Sequence, residues 1–359
     1  MACIHVEGFE YPGLSAAQLV EMGVLVGSGA SPVAGGVLDP LGYPGLNGNI
    51  RLRVLAWGFA DWRIPIPAIS AGVVYFQAKQ NGGTAIHSGQ RWIGLRDTAG
   101  EYIFELVATS ALNTGNGHSG AVRLLLGGVE VATGIPISLA TWQHFAVVYD
   151  TSGSNVTSVV IYQNGSVIGS WSGTQAVSDV QGTSVGGSGV GPNLSAEWTL
   201  DTLAIWDDPV ADLPASLRPL WCFGRTVTSP DTPSQGDWSS FLGATSPSGN
   251  INVQINAPQT DRGALTVTAD SELVLGFSTL LTGVQDVLCV SVTVRMQGSA
   301  TLTEGSLALR SGAVTTTPTI VNTMSITNIQ QSAALDPDGG GPWTIPAVDA
   351  LVVVVEATA

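Results

Sequence analysis

Several side-chain types in this sequence could do chemistry: paired carboxylates, histidines, a serine set between glycines, and tryptophans. A retaining glycosidase needs two carboxyl groups ~5 Å apart, which on a strand means acidic residues at i, i+2 or i+4 on one face. No Glu-x-Asp-x-Glu run occurs, and although Glu197 and Asp201 have the i, i+4 spacing, Trp198 to Leu203 reads as a core strand. A lyase acting on a uronate needs clustered His, Tyr, Arg or Lys to abstract a proton and neutralise the acid. His5, His87, His118 and His144 are far apart in sequence. His144 lies in a strand beside Trp142, which predicts a hydrogen-bonded structural role, whereas His87 and His118 flank Gly/Asn-rich turns, which predicts exposure. Gly182-Thr183-Ser184-Val185-Gly186 spells G-x-S-x-G, but that nucleophile elbow needs a strand-to-helix turn, and no helix pattern follows it. No catalytic residue is therefore assigned. Sugar binding would stack exposed Trp or Tyr rings on pyranose faces, with Asn and Asp reading hydroxyls. Of the ten tryptophans, Trp57, Trp62, Trp92, Trp171, Trp238 and Trp343 are not obviously all core.

The elements that must position these groups are strands. In 141–150 (TWQHFAVVYD) Phe145, Val147 and Tyr149 fall on one face and Trp142, His144, Ala146 and Val148 on the other, the period of two that marks a strand. Residues 157–171 alternate around Asn164-Gly165, the strongest short hairpin signal, because both residues tolerate the positive φ of a primed turn. Residues 197–208 (EWTLDTLAIWDD) complete the set. Further turn signals stand at Asn81-Gly82-Gly83, Asn116-Gly117 and Gly127-Gly128. The one clear helix pattern is Ser15 to Met22, with Ser15 as cap and Gln18 three residues on; a second short helix could follow Asp212, limited by Pro214 and Pro219. The expected class is all-β: two sheets in a sandwich, then a smaller β-domain.

Trp142-x-His144-x-Ala146-Val147-x-Tyr149-Asp150, then Tyr162-x-Asn164-Gly165, then Asp201-x-Leu203-x-Ile205-Trp206-Asp207 resembles the laminin-G/concanavalin-A-like jelly roll. The resemblance implies a buried Asp201 in the last strand. It also implies a calcium site built from Asp, Asn and backbone oxygens at loop ends, for which Asp150, Asn155 and Asp201 are candidates, with Asp336 and Asp338 in a terminal loop. Asp and Asn also favour turns and caps for their own sake, so both readings stay open; no other cofactor is expected.

With 359 residues the chain suits two domains. We read 1–222 as the sandwich, including its N-terminal strand and short helix, 223–250 as a Ser/Pro/Gly-rich connector and 251–359 as a C-terminal β-sandwich. The last region carries strand patterns at ALTVTA, LCVSVTVRM, SLALR, NTMSITNI and ALVVVVEA. Net charge is −15, and the twelve basic residues are Lys79 and eleven arginines; such a chain repels nucleic acid and anionic membranes. Only 11% of residues are charged, so the surface must be largely Ser, Thr, Asn and Gly. Cys3, Cys222 and Cys289 have no metal-like spacing and do not suggest a disulfide framework. No basic-then-apolar leader opens the sequence, and the longest apolar runs fall well short of the ~20 residues that span a bilayer. A protein of extracellular composition without an export signal is expected to be made in a host cytoplasm and released by another route, such as phage lysis.

Read end to end, the chain is similar to bacteriophage virion structural proteins. The landmarks are Gly8-Phe9-Glu10-Tyr11, Asp201 to Asp207, Gly236-Asp237-Trp238, Asp336-Pro337-Asp338 through Trp343-Thr344, and Val348 to Glu356, in that order. It departs from the pattern at Asp201-Thr202, where a paired acidic start is usual, and at the Gly339-Gly340-Gly341 insertion. The resemblance implies a non-enzymatic virion protein on the particle surface, as capsid decoration or a tail or fibre component. Its partners would be capsid or tail proteins, further copies of itself as a homo-oligomer such as a trimer, and a host-surface glycan. The alternatives are a free carbohydrate-binding lectin, calcium-dependent or not, and, further off, a glycan depolymerase.

Overall fold

Where the sequence places Asn164-Gly165 and Gly127-Gly128, the chain reverses. φ is +51° and +79° at the first pair and +55° and +79° at the second, the doubly positive geometry of a type I′ turn, which suits the twist of the strands it joins. The computed structural model describes residues 3–7, 26–28, 36–39, 51–57, 61–80, 89–109, 119–188, 195–209, 227–229, 271–277, 287–296, 303–322 and 327–358. The expected helices at Ser15–Met22 and after Asp212, the turns at Asn81 and Asn116 and most of 223–250 lie outside these residues. The chain divides into two compact units, the first running essentially to Phe223 and the second from Gly224 to Ala359.

The first unit holds two antiparallel sheets. One runs β13 (Ser166–Ala176), β12 (Asn155–Gln163), β11 (Gln143–Ser152), β6 (Gly72–Gln80), β15 (Ser195–Trp206), β4 (Arg51–Trp57), β3 (Gly36–Asp39). β15 is shared along one edge: β4 pairs with its first half and β1 (Cys3–Glu7) with its second. The other sheet runs β10 (Val129–Ser138), β9 (Ser119–Leu126), β8 (Tyr102–Ala108), β7 (Arg91–Arg96), β14 (Gly182–Ser188), β5 (Asp61–Ile69), β2 (Val26–Ser28).

The alternation read in 141–150 sets the core. β11 places Phe145, Val147 and Tyr149 opposite Phe76, Val74 and Gly72 of β6. Phe76 stacks on Phe145 at 5.3 Å between centroids, and Trp92 of the other sheet meets both edge-on, at 5.4 and 4.9 Å. Phe104 of β8 reaches Tyr149 at 5.7 Å. Burying each such ring removes enough apolar surface from water to be worth roughly 1.5–3 kcal/mol. The Tyr149 hydroxyl donates to the Ile69 carbonyl at 3.2 Å, and its burial pushes its pKa well above the usual tyrosine value.

In the second unit β16 (Val227–Ser229), β17 (Ser271–Phe277), β23 (Val352–Thr358) and β19 (Glu304–Ser311) form a sheet, and β20 (Val314–Thr315) and β21 (Thr319–Asn322) share the far edge of β19. A two-stranded ribbon of β18 (Val290–Met296) and β22 (Thr327–Ala333) completes it. Leu275, Leu307, Leu309, Ile329, Trp343, Val353 and Val355 are in its core. The C-terminal run does not become strand as early as its sequence suggests: Ile345–Ala350 is a short helix, α1, and β23 begins at Val352. Thr344 caps α1 by accepting the Ala347 N–H, and Pro346 sits in its first turn, where a missing N–H costs nothing.

Candidate functional site

The calcium candidates fall into separate places. Asp150 and Asn155 lie on either side of the turn between β11 and β12, opposite Ser158 and Ser152; the Asp150 carboxylate accepts the Thr151 N–H at 2.8 Å, and the Asn155 amide donates to the Ser152 carbonyl at 3.4 Å. Asp336 and Asp338 share a loop of the second unit, the Asp336 carboxylate accepting the Asp338 N–H at 3.1 Å. That loop is closed by bonds from Asp336 N–H to the Gly341 carbonyl and from Gly340 N–H to the Asp336 carbonyl. The backbone of Asp201 lies in β15 opposite Gln77; its side chain, and that of Glu197, are outside the described residues, so the expected burial of Asp201 is not addressed. Among the described residues no three His, Cys, Asp or Glu side chains gather as a cation site. The G-x-S-x-G string is an inner strand between β7 and β5, a geometry that cannot form the strand-to-helix elbow.

His144 is buried, and its backbone is knit to the hairpin named with it: its main-chain N–H donates to the Asn164 side chain, and its carbonyl accepts the Asn164 N–H. Less expected is its company. The ring stacks on Tyr75 at 6.2 Å, Tyr75 meets Trp206 edge-on at 6.5 Å, and Gln77 donates to the Tyr75 hydroxyl at 3.3 Å. Tyr75, Gln77, His144 and Trp206 therefore occupy the face of the larger sheet turned away from the core, and all four are buried. His5 is buried too, while His87 and His118 are outside the described residues. The described cysteine thiols, Cys3 and Cys289, point at the His5 and Val290 carbonyls. Of the tryptophans singled out, Trp92 and Trp343 are core and Trp171 is half-buried; the side chains of Trp57, Trp62 and Trp238 are outside the described residues.

The corresponding face of the seven-stranded sheet carries charged side chains, some sealed (Arg96, Glu105) and some partly exposed (Arg91, Arg123). Residues directly opposite one another in an antiparallel ladder share a face, so the register defines rows. One row runs Glu130 (β10), Leu125 (β9), Glu105 (β8), Gly94 (β7), Gly186 (β14), Arg63 (β5). Above it stand Arg123, Val107 and Arg91; below it Arg96, Ser184 and Pro65, with Tyr102 paired to Arg96. A register shift between Arg91 and Ile93 lets Trp92 enter the core while Arg91, Gly94 and Arg96 all reach the same face. That is why simple alternation along RWIGLR does not disclose it.

These side chains are held in place. Arg91 Nε donates to Glu105 Oε2 at 2.5 Å, with the glutamate sealed and the arginine side chain 41% exposed. Arg96 donates to the Tyr102 hydroxyl and, at 3.4 Å, to the Gly100 carbonyl. The Tyr102 ring lies across Gly94, where a Cβ would stand 2.7 Å from it and 2.5 Å from the Phe104 carbonyl. The guanidinium carbons of Arg96 and Arg91 lie 4.1 and 5.4 Å from that ring's centre, within cation–π range. Arg63 reaches the same turn, its Nη1 3.0 Å from where a Cβ on Gly100 would be.

The turn itself is fixed by buried Asp97, whose carboxylate accepts the N–H groups of Ala99 and Glu101 and the Ser178 hydroxyl. Its carbonyl accepts the Thr183 hydroxyl. Arg123 pairs with Glu130 at 2.9 Å at the edge of the face, both partly exposed. The result is a tyrosine ring ringed by forked donors on a rigid sheet. The clue in the sequence was the scarcity of charge: four of eleven arginines fall on these strands.

Residues 71–212 match the model of the Concanavalin A-like lectin/glucanases superfamily, and the first unit has this jelly-roll fold. Similar solved structures include alginate lyase Aly36B (12% identity, TM-score 0.37, over 56% of this chain and 95% of that one). The cellulose induced protein Cip1 is 16% identical, with a TM-score of 0.39, over 57% of this chain and 98% of that one. The globular domain of T. cruzi calreticulin is 12% identical, with a TM-score of 0.39, over 59% of this chain and 90% of that one. No curated protein matches the sequence.

Proposed function

We propose that this protein is a non-enzymatic, glycan-binding structural protein of a bacteriophage particle, carried on the particle surface as capsid decoration or as a tail or fibre component. The observation that carries the glycan reading is the Tyr102 ring set among Arg63, Arg91 and Arg96 on the face of the seven-stranded sheet. An aromatic face stacks on the C–H side of a sugar ring, and rigid guanidinium forks order its polar substituents. The lectin-like fold of residues 71–212 supports the same class. The virion reading is supported by the order of sequence landmarks along nearly the whole chain. Two of them are framework in the second unit: buried Trp343 donates from its indole to the Ala333 carbonyl at 2.9 Å, and β23 is an inner strand.

The non-enzymatic reading is supported by where the reactive groups lie. Glu105 is sealed in an ion pair, Ser184 is in mid-strand and His144 is buried beside Tyr75. The partners would be capsid or tail proteins, further copies of this chain, and a host-surface glycan. The protein would be made in the host cytoplasm and located in the virion. Light scattering on the purified protein, with and without calcium, tests assembly, and a glycan array tests binding. A trimer or larger species that binds glycan supports the proposal. A monomer that binds glycan leaves a free lectin, and a protein that binds no glycan in either state overturns it.

A further inference from the structure

We infer that Asn164 is a site of covalent self-modification that the fold holds shut. Its side-chain amide is spared while the β12–β13 turn is tied to β11, and is converted to aspartate or isoaspartate once that turn opens. This goes beyond the glycan reading above and does not depend on it.

Asn-Gly is the dipeptide in which this chemistry is fastest, because a glycine has no side chain to hinder its own nitrogen. The Gly165 amide nitrogen attacks Cγ of Asn164, the bond from Cγ to Nδ2 breaks, and ammonia leaves with the proton that Gly165 gives up. The five-membered imide that remains takes up one water, which opens it at one carbonyl to aspartate or at the other to isoaspartate. Only water is consumed and nothing is oxidised or reduced. Asn164 is exposed, and the β12–β13 ladder ends at Gln163 and Ser166, so the Gly165 N–H takes no part in it.

The folded turn keeps the two reacting atoms apart. The first residue of a type I′ turn has ψ near about +30°, which points the next nitrogen away from the side chain, so ring closure requires the turn to be undone. The Asn164 side chain is also pinned. The His144 main-chain N–H can only donate, so the Asn164 atom it meets at 3.1 Å is Oδ1, and Nδ2 is left to donate to Gln143 Oε1. Gln143 is fixed in turn. Its Nε2 donates to the Thr141 hydroxyl at 2.6 Å, and its Oε1 also accepts from Gln163 Nε2 at 3.0 Å, which reaches the Ser138 carbonyl at 2.9 Å as well. Polar networks of this kind stiffen all their members.

The network is directional, which makes the change one-way. In the aspartate product a carboxylate oxygen takes the place of Nδ2 and faces Gln143 Oε1, acceptor against acceptor. Turning the Gln143 amide over would set its NH2 against that of Gln163 instead. Isoaspartate adds a carbon to the backbone of a two-residue turn. Neither product restores the original tie to β11.

The test is to hold the full chain at mildly alkaline pH, folded and in urea, then digest it and map Asn164 by mass spectrometry. Conversion is expected at least tenfold faster in urea than in the folded chain, with Asn47-Gly48, Asn81-Gly82 and Asn116-Gly117 as internal clocks in the urea sample. Gln143→Ala, which removes the partner of Nδ2, should speed conversion in the folded chain severalfold. Asn164→Asp keeps a residue suited to the turn and presents the product directly. It should lower Tm by roughly 2–4 °C, the shift that follows the loss of one hydrogen bond. Equal rates in the folded chain and in urea would overturn the fold's control. An Asn164 that stays intact in urea while the three clocks convert would overturn the site itself. Folded Gln143→Ala converting as slowly as wild type, or Asn164→Asp with an unchanged Tm, would overturn the role of the network.

Discussion

Each sheet of the first unit has a face turned away from the shared core, and the two faces differ in whether any of their polar side chains reach water. On the larger sheet Tyr75, Gln77, His144 and Trp206 are sealed, between 0% and 8% exposed. On the smaller sheet Arg96, Glu105 and Ser184 are sealed in the same way, but the Arg91 and Arg123 side chains are 41% and 37% exposed. Residue type alone would rank the faces the other way, since histidine beside tyrosine is a familiar acid–base pairing and a row of arginines is an ordinary solvated surface. Exposure reverses the ranking. A buried polar group that is hydrogen-bonded stiffens the fold, whereas a preorganised polar group in contact with water can exchange that water for a ligand.

The comparison breaks most visibly at Tyr75. Because the ring is fully buried, Tyr75→Ala should cost ~3–5 kcal/mol, the range for large aromatic truncations in a core, read from denaturant unfolding. Tyr75→Phe, which keeps the ring, should leave glycan binding unchanged. If Tyr75→Phe or His144→Ala folds normally and abolishes binding, or if the wild-type protein cleaves a polysaccharide and His144→Ala does not, the sealed face is the working one and the ranking above is wrong.

A second tyrosine sharpens the contrast through pH. Tyr149 has its pKa raised by burial, so the folded state keeps its proton where the unfolded state loses it. Below about pH 10 both states are protonated and stability does not depend on this group. Above it, stability should fall by up to ~1.4 kcal/mol per pH unit. Tyr149→Phe should flatten that alkaline limb, at the loss of the hydrogen bond to Ile69, worth ~1 kcal/mol at neutral pH. An unchanged alkaline limb in Tyr149→Phe, followed by thermal melts from pH 8 to 11, would show that other groups control it.

How much of this was legible in the sequence depended on whether the signal was local. The Asn164-Gly165 turn and the two faces of β11 follow from residue type and a period of two, and both stand in the fold. The meeting of His144 with Tyr75, 69 positions earlier, needed the pairing of β11 with β6, which no local pattern encodes. The Arg91–Gly94–Arg96 face needed both a bulge and the order of strands β8, β7, β14 and β5. The short helix before β23 was hidden by the continuous apolar run after it, and only the Thr344 cap and Pro346 marked it.

The two ion pairs of the smaller sheet can be tested against each other, and one of them should give the smallest effect of all. Arg91→Ala strands a sealed carboxylate, Glu105, whose side chain is 3% exposed; removing the partner of a buried acceptor costs ~1–3 kcal/mol. Arg123→Ala removes one half of a pair in which both side chains are well exposed, where pairs contribute ~0.2–1 kcal/mol and salt screens them. The two residues sit in one row on either side of Val107, so they differ in anchoring more than in place. Binding should separate them the same way, strongly weakened in Arg91→Ala and nearly unchanged in Arg123→Ala. Equal losses of stability and binding in the two variants would mean that the whole row attracts ligand by diffuse charge. A loss confined to Arg91 would mean that the buried anchor makes one arginine of this face a ligand-holding group and leaves its neighbour a solvated cation.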